Sequence, residues 1–191
     1  MPGIVRRISS RIIKSVGSTV KGSTTKSAGL LIVGLDASGK STVLSFLKGT
    51  SDTVEVTPTV GIAKSEFSRH GVAFTALDMS GKVKYRELWE KYYSECTAIL
   101  FVVDCSDRIR MCVARDELEL LLEHADMKTN NAPLLILANK IDLPGTITPQ
   151  QCLNELNIHA ITNRFWHISS CNAKTGEGVE EGIGWLASKV A

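Results

Sequence analysis

Residues 34–42 read Gly34-Leu35-Asp36-Ala37-Ser38-Gly39-Lys40-Ser41-Thr42. The stretch contains the pattern G-x-x-x-x-G-K-[ST], with Gly34, Gly39, Lys40 and Ser41 at its defined positions. Glycines let the backbone curl so that several N–H groups point into one concavity, and this is what a polyphosphate requires. Asp36, Ala37, Ser38 and Thr42 complete the expected cradle. Lys40 is placed to reach the outer phosphates and the Ser41 hydroxyl to ligate Mg²⁺. The positive end of a following helix would add to the attraction. The flanks fit: Ala28–Val33 is a short apolar run of buried-strand type, and Thr42–Lys48 is helix-compatible. Strand, loop and helix in that order are the context the motif needs.

Length and composition narrow the remaining classes. A chain of 191 residues favours one domain with a tail, and 43% apolar residues suffice for a full core. The five cysteines, at 96, 105, 112, 152 and 171, are odd in number and lack C-x-x-C spacing. They read as free thiols of a reducing compartment, not as a disulfide framework or a zinc site. His70, His124, His159 and His167 are scattered and suggest no metal cluster. No stretch approaches the roughly 20 apolar residues of a membrane span. No apolar segment with a cleavage site appears, so a cytoplasmic location is expected. Net charge is +2, but residues 1–27 carry Arg6, Arg7, Arg11, Lys14, Lys21 and Lys26 with no acid. The remainder therefore stands at −4: a basic tail on a mildly acidic body.

Three segments follow. In residues 4–16, Ile4, Val5, Ile8, Ile12, Ile13 and Val16 recur at helical spacing, with Arg6, Arg7, Arg11 and Lys14 interleaved. This predicts a basic amphipathic helix over 1–16. Residues 17–27 read as a flexible linker of Gly, Ser, Thr and Lys. From 28 to 191 strands and helices alternate. Strands are expected at 28–34, 61–68, 72–78, 97–104, 133–138 and 165–169, with 61–68 and 72–78 paired as a hairpin across Arg69-His70-Gly71. Helices are expected at 40–48, 83–94, 110–124, 148–156 and 178–190. The alternation predicts an α/β fold with a mostly parallel six-stranded sheet, one antiparallel hairpin strand, and helices on both faces.

Other chemistry-bearing stretches lie at strand ends. Asn139-Lys140-Ile141-Asp142 directly follows an apolar strand. A carboxylate at Asp142 can accept from both the ring N–H and the exocyclic amino group of guanine, and adenine offers no such donor pair. The Lys140 stem can lie over the base. Asn172-Ala173-Lys174 follows the last strand, where the Ala173 N–H could meet the guanine carbonyl. Thr59, within Pro58-Thr59-Val60-Gly61, could give Mg²⁺ a second hydroxyl, so the metal set is Ser41 and Thr59. Asp78 could hold a water of the metal's shell, and the Gly81 N–H could meet a γ-phosphate.

These motifs, in this order, resemble those of Ras-like small GTPases. Gly34-Leu35-Asp36 and Pro58-Thr59-Val60-Gly61 resemble the Arf/Arl branch. Asp78-Met79-Ser80-Gly81, Tyr85-Arg86, Leu88-Trp89-Glu90, Tyr92-Tyr93, Asp107-Arg108, Arg110-Met111 and Trp166-His167-Ile168 resemble the ciliary Arf-like members that recruit the Bardet–Biedl coat complex, the BBSome. The resemblance covers about residues 28–191. It implies a P-loop small-GTPase fold, GTP or GDP with Mg²⁺, and exchange and activating proteins as regulators. It also implies a GTP-controlled switch that recruits a coat or adaptor at a membrane of the cilium or its base.

Departures from the family pattern qualify the reading. The family's Gln after the D-x-x-G glycine is Lys82 here. An ammonium group donates hydrogen bonds but accepts none, so it cannot take a bond from the attacking water, and slow intrinsic hydrolysis is expected. The alternative is that Lys82 points to solvent and a partner supplies the catalysis. The aromatic trio that the family shows to effectors corresponds to Ile62, Leu77 and Tyr92. Myristoylation needs Gly at position 2, where this chain has Pro2, so no lipid is expected. Membrane affinity would then rest on residues 4–16 and anionic lipid. Neither nucleic-acid binding nor self-association is expected. A P-loop phosphotransferase and a GTP-bound scaffold that never cycles remain as alternatives. The first is disfavoured by Asn139-Lys140-Ile141-Asp142, and the second is motivated by Lys82.

Overall fold

The computed structural model describes residues 26–50 and 58–190. The amphipathic segment 1–16, most of the linker and the polar stretch 51–57 lie outside them. Strand β1 spans Lys26–Val33, β2 Ile62–Arg69, β3 Val72–Met79, β4 Ala98–Asp104, β5 Leu134–Asn139 and β6 Trp166–Cys171. They form one six-stranded sheet in the order β2-β3-β1-β4-β5-β6. Every neighbouring pair is parallel except β2 with β3. The expected mixed sheet with one antiparallel hairpin strand is therefore the observed one. Its first strand starts at Lys26, two residues inside the segment read as linker.

The strands read as nearly continuous apolar runs because both faces are covered. Successive side chains point to opposite faces. Leu31, Val33, Ile99, Phe101, Leu134 and Ile136 enter one core, with Met111, Ala114 and Leu118 of helix α3 (Met111–Glu123). Leu30, Ile32, Leu100, Val102, Leu135 and Leu137 enter the other, with α1 (Lys40–Lys48) and α6 (Val179–Val190). The β2–β3 register is set partly by Phe67 facing Phe74 across the pair, with stacked rings 5.2 Å apart. The turn joining them holds His70 and Gly71 at positive φ, which suits the twist of a tight hairpin.

Helix limits follow local chemistry. α1 stops at Gly49, whose left-handed backbone lets its N–H cap Phe46 O. Helix α5 (Pro149–Glu155) starts at a reciprocal Thr148–Gln151 capping box, with Pro149 in its first turn. Two short elements were not anticipated: α4 (Ala125–Thr129) and a single 3₁₀ turn at Ile158–Ala160. The expected helix 83–94 is also broken. It consists of α2 (Val83–Arg86) and a separate 3₁₀ turn at Trp89–Tyr92. Trp89 accounts for the break: it is fully buried and its indole N–H donates to Ser80 O at 3.1 Å, folding the chain back on the end of β3. Arg86 also reaches back, Nε to Gly81 O at 2.8 Å.

Leu100 lies at the middle of β4, with no exposure. Leu100→Ala is expected to cost about 2–5 kcal/mol. Thermal unfolding at fixed nucleotide concentration should show a midpoint lower by roughly 5–15 °C.

Candidate functional site

At the carboxyl end of the sheet, the loop between β1 and α1 takes Gly34, Ala37 and Gly39 through positive φ. The curl turns the backbone around a cavity of about 460 Å³. Gly39 is also required by contact, because a Cβ there would strike the Asn139 side-chain amide. Gly81, following β3, lies so close to the loop that a Cβ would meet the backbone of Gly34, Leu35 and Asp36. Lys40 is buried beneath the loop, and its Nζ donates to Gly34 O at 3.0 Å and Leu35 O at 2.6 Å. Burial pulls its amine down to about 8 despite the nearby carboxylates of Asp78 and Asp36.

The expected metal-side groups meet. Ser41 Oγ lies 3.0 Å from Thr59 Oγ1 and donates to Asp78 Oδ2 at 2.5 Å. Thr59 Oγ1 is 3.4 Å from the same carboxylate oxygen. Burial raises the Asp78 carboxyl, while the Ser41 bond, Lys40 and Thr59 oppose the shift. Asp78 Oδ1 is buried without a partner. Two hydroxyls and a carboxylate, all hard oxygens, with one buried oxygen still free, fit a Mg²⁺ that keeps part of its water shell.

At the other end of the cavity stand Asn139, Lys140, Asp142, Asn172, Ala173 and Lys174. Asn139 is 2% exposed. It donates through Nδ2 to Ser38 O at 2.8 Å and accepts the Ala173 N–H at Oδ1 at 3.0 Å. The Ala173 N–H, expected to face a ligand carbonyl, is therefore engaged by Asn139 here. The Lys174 N–H is likewise held by Asn172 Oδ1 at 3.0 Å. Lys140 takes a left-handed backbone, and its Nζ reaches Asp104 Oδ2 at 2.5 Å.

Of the residues expected at the site, Asp36, Ala37, Gly39, Lys40, Ser41, Thr42, Thr59, Gly81, Lys82, Asn139, Lys140, Asp142, Asn172, Ala173 and Lys174 line the cavity. Gly34, Ser38 and Asp78 stand behind the lining, at the loop's start, under the loop and beneath Ser41. Lys82 is exposed and lies at the cavity rim. Leu143 lines the cavity without having been expected. A set of charges beside the loop was not expected from the sequence. Arg86 pairs with Glu117 at 2.6 Å and approaches Asp36 at 3.8 Å, while Arg110 reaches Asp36 at 3.3 Å and Asp107 at 2.6 Å. The Arg110 bond holds the Asp107 carboxyl below the usual range. Arg86, Asp107 and Arg110 stood in stretches carrying the family resemblance, but no local rule tied them to the loop.

Fold and cavity together define a P-loop nucleotide-binding protein. Residues 13–190 match the ADP-ribosylation factor family, and this chain belongs to that family of small GTPases. It is 40% identical to ADP-ribosylation factor-like protein 6 of Danio rerio over 166 residues, 86% of this chain and 89% of that protein. It is 38% identical to the protein of the same name from Caenorhabditis elegans over 175 residues, 91% of this chain and 92% of that one. Among solved structures it resembles the Arl6 BBS3 small GTPase of Trypanosoma brucei with bound nucleotide analogue GppNp. The TM-score is 0.79 at 34% identity, covering 86% of this chain and 98% of that one. The family binds guanine nucleotide with Mg²⁺ and hydrolyses GTP.

The depressed Lys40 amine has a measurable consequence. Its folded value near 8 lies below the ordinary 10.5, so between these the unfolded chain binds more protons. The nucleotide-free protein therefore gains stability as pH rises through that window, and below about 8 the whole burial penalty stands. Lys40→Met removes the term. The stability difference between Lys40→Met and the native chain, from urea unfolding of nucleotide-free protein, should shrink by about 3 kcal/mol between pH 8 and 10.5.

Proposed function

We propose that this chain is a GTP-controlled switch whose GTP form associates with membrane and recruits a coat or adaptor complex for ciliary or vesicular protein transport. The observation that carries the reading is the convergence of three separate segments on one cavity. Ser41 comes from the phosphate loop, Thr59 from the chain entering β2, and Gly81 from the chain leaving β3. Segments on both flanks of the hairpin thus stand where a terminal phosphate would be felt.

In this reading Gly34, Asp36, Ala37, Ser38, Gly39, Lys40 and Thr42 form the polyphosphate end. Ser41 and Thr59 would hold Mg²⁺, and Asp78 would hold a water of its shell. Asn139, Lys140, Asp142, Asn172, Ala173 and Lys174 form the guanine end, with Asp142 selecting the base. Bound Mg²⁺ would neutralise charge on the phosphoryl oxygens. Thr59 and Gly81 keep their places while a γ-phosphate is there to contact and are released without one.

Leu77 is buried in one core cluster, Ile62 and Tyr92 are half-buried against it, and Val60 and Val83 in the flanking segments are 73% and 75% exposed. This is a surface that would change with the nucleotide, suited to a BBSome-like coat effector. The likeness to ADP-ribosylation factor-like protein 6 and to a structure named for BBS3 supports that partner class. No described helix is long and apolar enough to cross a membrane. Attachment would be peripheral and reversible, through residues 4–16 on anionic lipid, with the domain from 28 onward working as a monomer under exchange and activating proteins. The setting is the cytoplasm, at the cilium or its base.

Purified chain loaded with a non-hydrolysable GTP analogue should enrich a coat complex from ciliated-cell lysate, and GDP-loaded chain should not. Equal or absent enrichment would sink the coat-recruitment reading. The exposed Lys82 at the cavity rim favours a second reading, a GTP-bound scaffold that does not cycle. Lys82→Gln is expected to raise single-turnover GTP hydrolysis severalfold, because the amide can both donate to and accept from water. An unchanged or lower rate would overturn the expectation that Lys82 slows hydrolysis.

A further inference from the structure

The reading above places the guanine end of the cavity around Lys140, and the following inference rests on it. Lys140 is an awkward residue with which to build a fixed surface. It has a long side chain with four torsions on a left-handed backbone that non-glycine residues seldom adopt. Left alone, its stem would sweep the cavity mouth.

Four observations show what fixes it. β4 and β5 pair so that Asp104 stands opposite Asn139, and the two strands end side by side at this point. From there Lys140 Nζ bonds Asp104 Oδ2 at 2.5 Å. The Asp104 side chain is 12% exposed against 30% for Lys140, so the acid is the more deeply seated partner. Asp104 is itself held: its other oxygen, Oδ1, accepts the Ser106 N–H at 3.0 Å and the Ser106 hydroxyl at 2.6 Å. With one oxygen committed to the turn and the other to the amine, the carboxylate has little freedom to rotate.

Lys140 lines the cavity and Asp104 does not. We infer that Asp104 is a positioning residue for base recognition: braced by Ser106, it pins the Lys140 amine so that the lysine stem lies as a fixed apolar rail against the face of a bound purine. Asp104 touches no ligand and acts through Lys140. The brace uses residues outside every motif that names the guanine end and fixes a half-buried lysine at the cavity wall.

Dissociation of a fluorescent GDP analogue from the full-length chain tests this, with thermal midpoints of the nucleotide-free proteins measured alongside. Asp104→Asn should accelerate release about tenfold, the loss expected for a charge-assisted hydrogen bond. Asp104→Glu should recover part of it. Lys140→Met should accelerate release as well, and adding Asp104→Asn to it should change little further. Multiplicative effects in the double variant, with parallel losses in thermal midpoint, would mean a general structural role and overturn the inference. Should Asp104→Asn not fold, Ser106→Ala provides the same cycle with a roughly two- to threefold effect, since it removes one of the two bonds to Oδ1. Native chain that fails to retain the fluorescent GDP would instead overturn the guanine-nucleotide reading itself.

Discussion

The Asn139 side chain sits between two loops and is bonded to both. Its Nδ2 donates to Ser38 O at 2.8 Å, and its Oδ1 accepts the Ala173 N–H at 3.0 Å. The partners lie 101 and 34 residues away in the chain. A buried amide with donor and acceptor ends both satisfied tolerates few substitutes. Asp would lose the donor, and Leu would leave a buried carbonyl and a buried N–H unpaired. The same side chain lies where a Cβ on residue 39 would be, so Gly39 is fixed by this contact as much as by its own left-handed backbone. Phosphate loop and distal loop keep their spacing through this one group, and with it the length of the cavity.

Charge organises the flank that Asn139 does not reach. Arg86 is tied to Gly81 O, to Glu117 on α3 and, more loosely, to Asp36 of the phosphate loop. Arg110 joins Asp36 to Asp107. On this flank the Arg86–Glu117 pair carries the most energetic weight. Its side chains are 11% and 21% exposed and 2.6 Å apart, while the exposed pairs elsewhere are each worth a fraction of a kilocalorie. α3 is rigid, packed along Met111, Ala114 and Leu118. Arg86 therefore anchors the segment after β3 to helix α3 while its Nε donates to the Gly81 carbonyl. A change in the position of Gly81 would have to move Arg86 against that pair.

The sheet was readable because periodicity reports burial. Runs such as Ala98–Val103 and Leu134–Ala138 are apolar at every position, which only a strand covered on both faces requires. The site was readable to the extent that its chemistry is local. Gly34, Gly39, Lys40 and Ser41 declare themselves through spacing, and Asn139 and Asp142 through their place after a strand. What stayed hidden depends on tertiary geometry. The helix expected over 83–94 breaks because Trp89 turns in to meet Ser80, a contact that helical propensity does not register. Asp104 and Arg110 were beyond reach for the same reason: each acts on a residue brought beside it by strand pairing or helix placement.

The polar groups around the cavity largely satisfy one another. Gly34 O and Leu35 O take the Lys40 amine, and the Asp78 carboxylate takes both the Ser41 and Thr59 hydroxyls. These arrangements are incomplete substitutes. Carbonyls carry only partial charge, and burial still drives the amine toward neutrality. Two hydroxyls cannot satisfy a whole carboxylate, and Asp78 Oδ1 is left buried and bare, at a cost of about 1–3 kcal/mol. Burial works against charge on both: the amine is pulled down although Asp78 and Asp36 stand near it, and the Asp78 carboxyl is pushed up although Lys40 stands near it. A single ligand carrying phosphate together with a divalent metal relieves both, and neither alone does. Lys40 bonds the loop carbonyls and Ser41 bonds Asp78, while Lys40 and Asp78 stand close enough to act on each other electrostatically, so the anion end and the cation end adjoin. Thr59 is the member of the cluster contributed from outside the loop and β3.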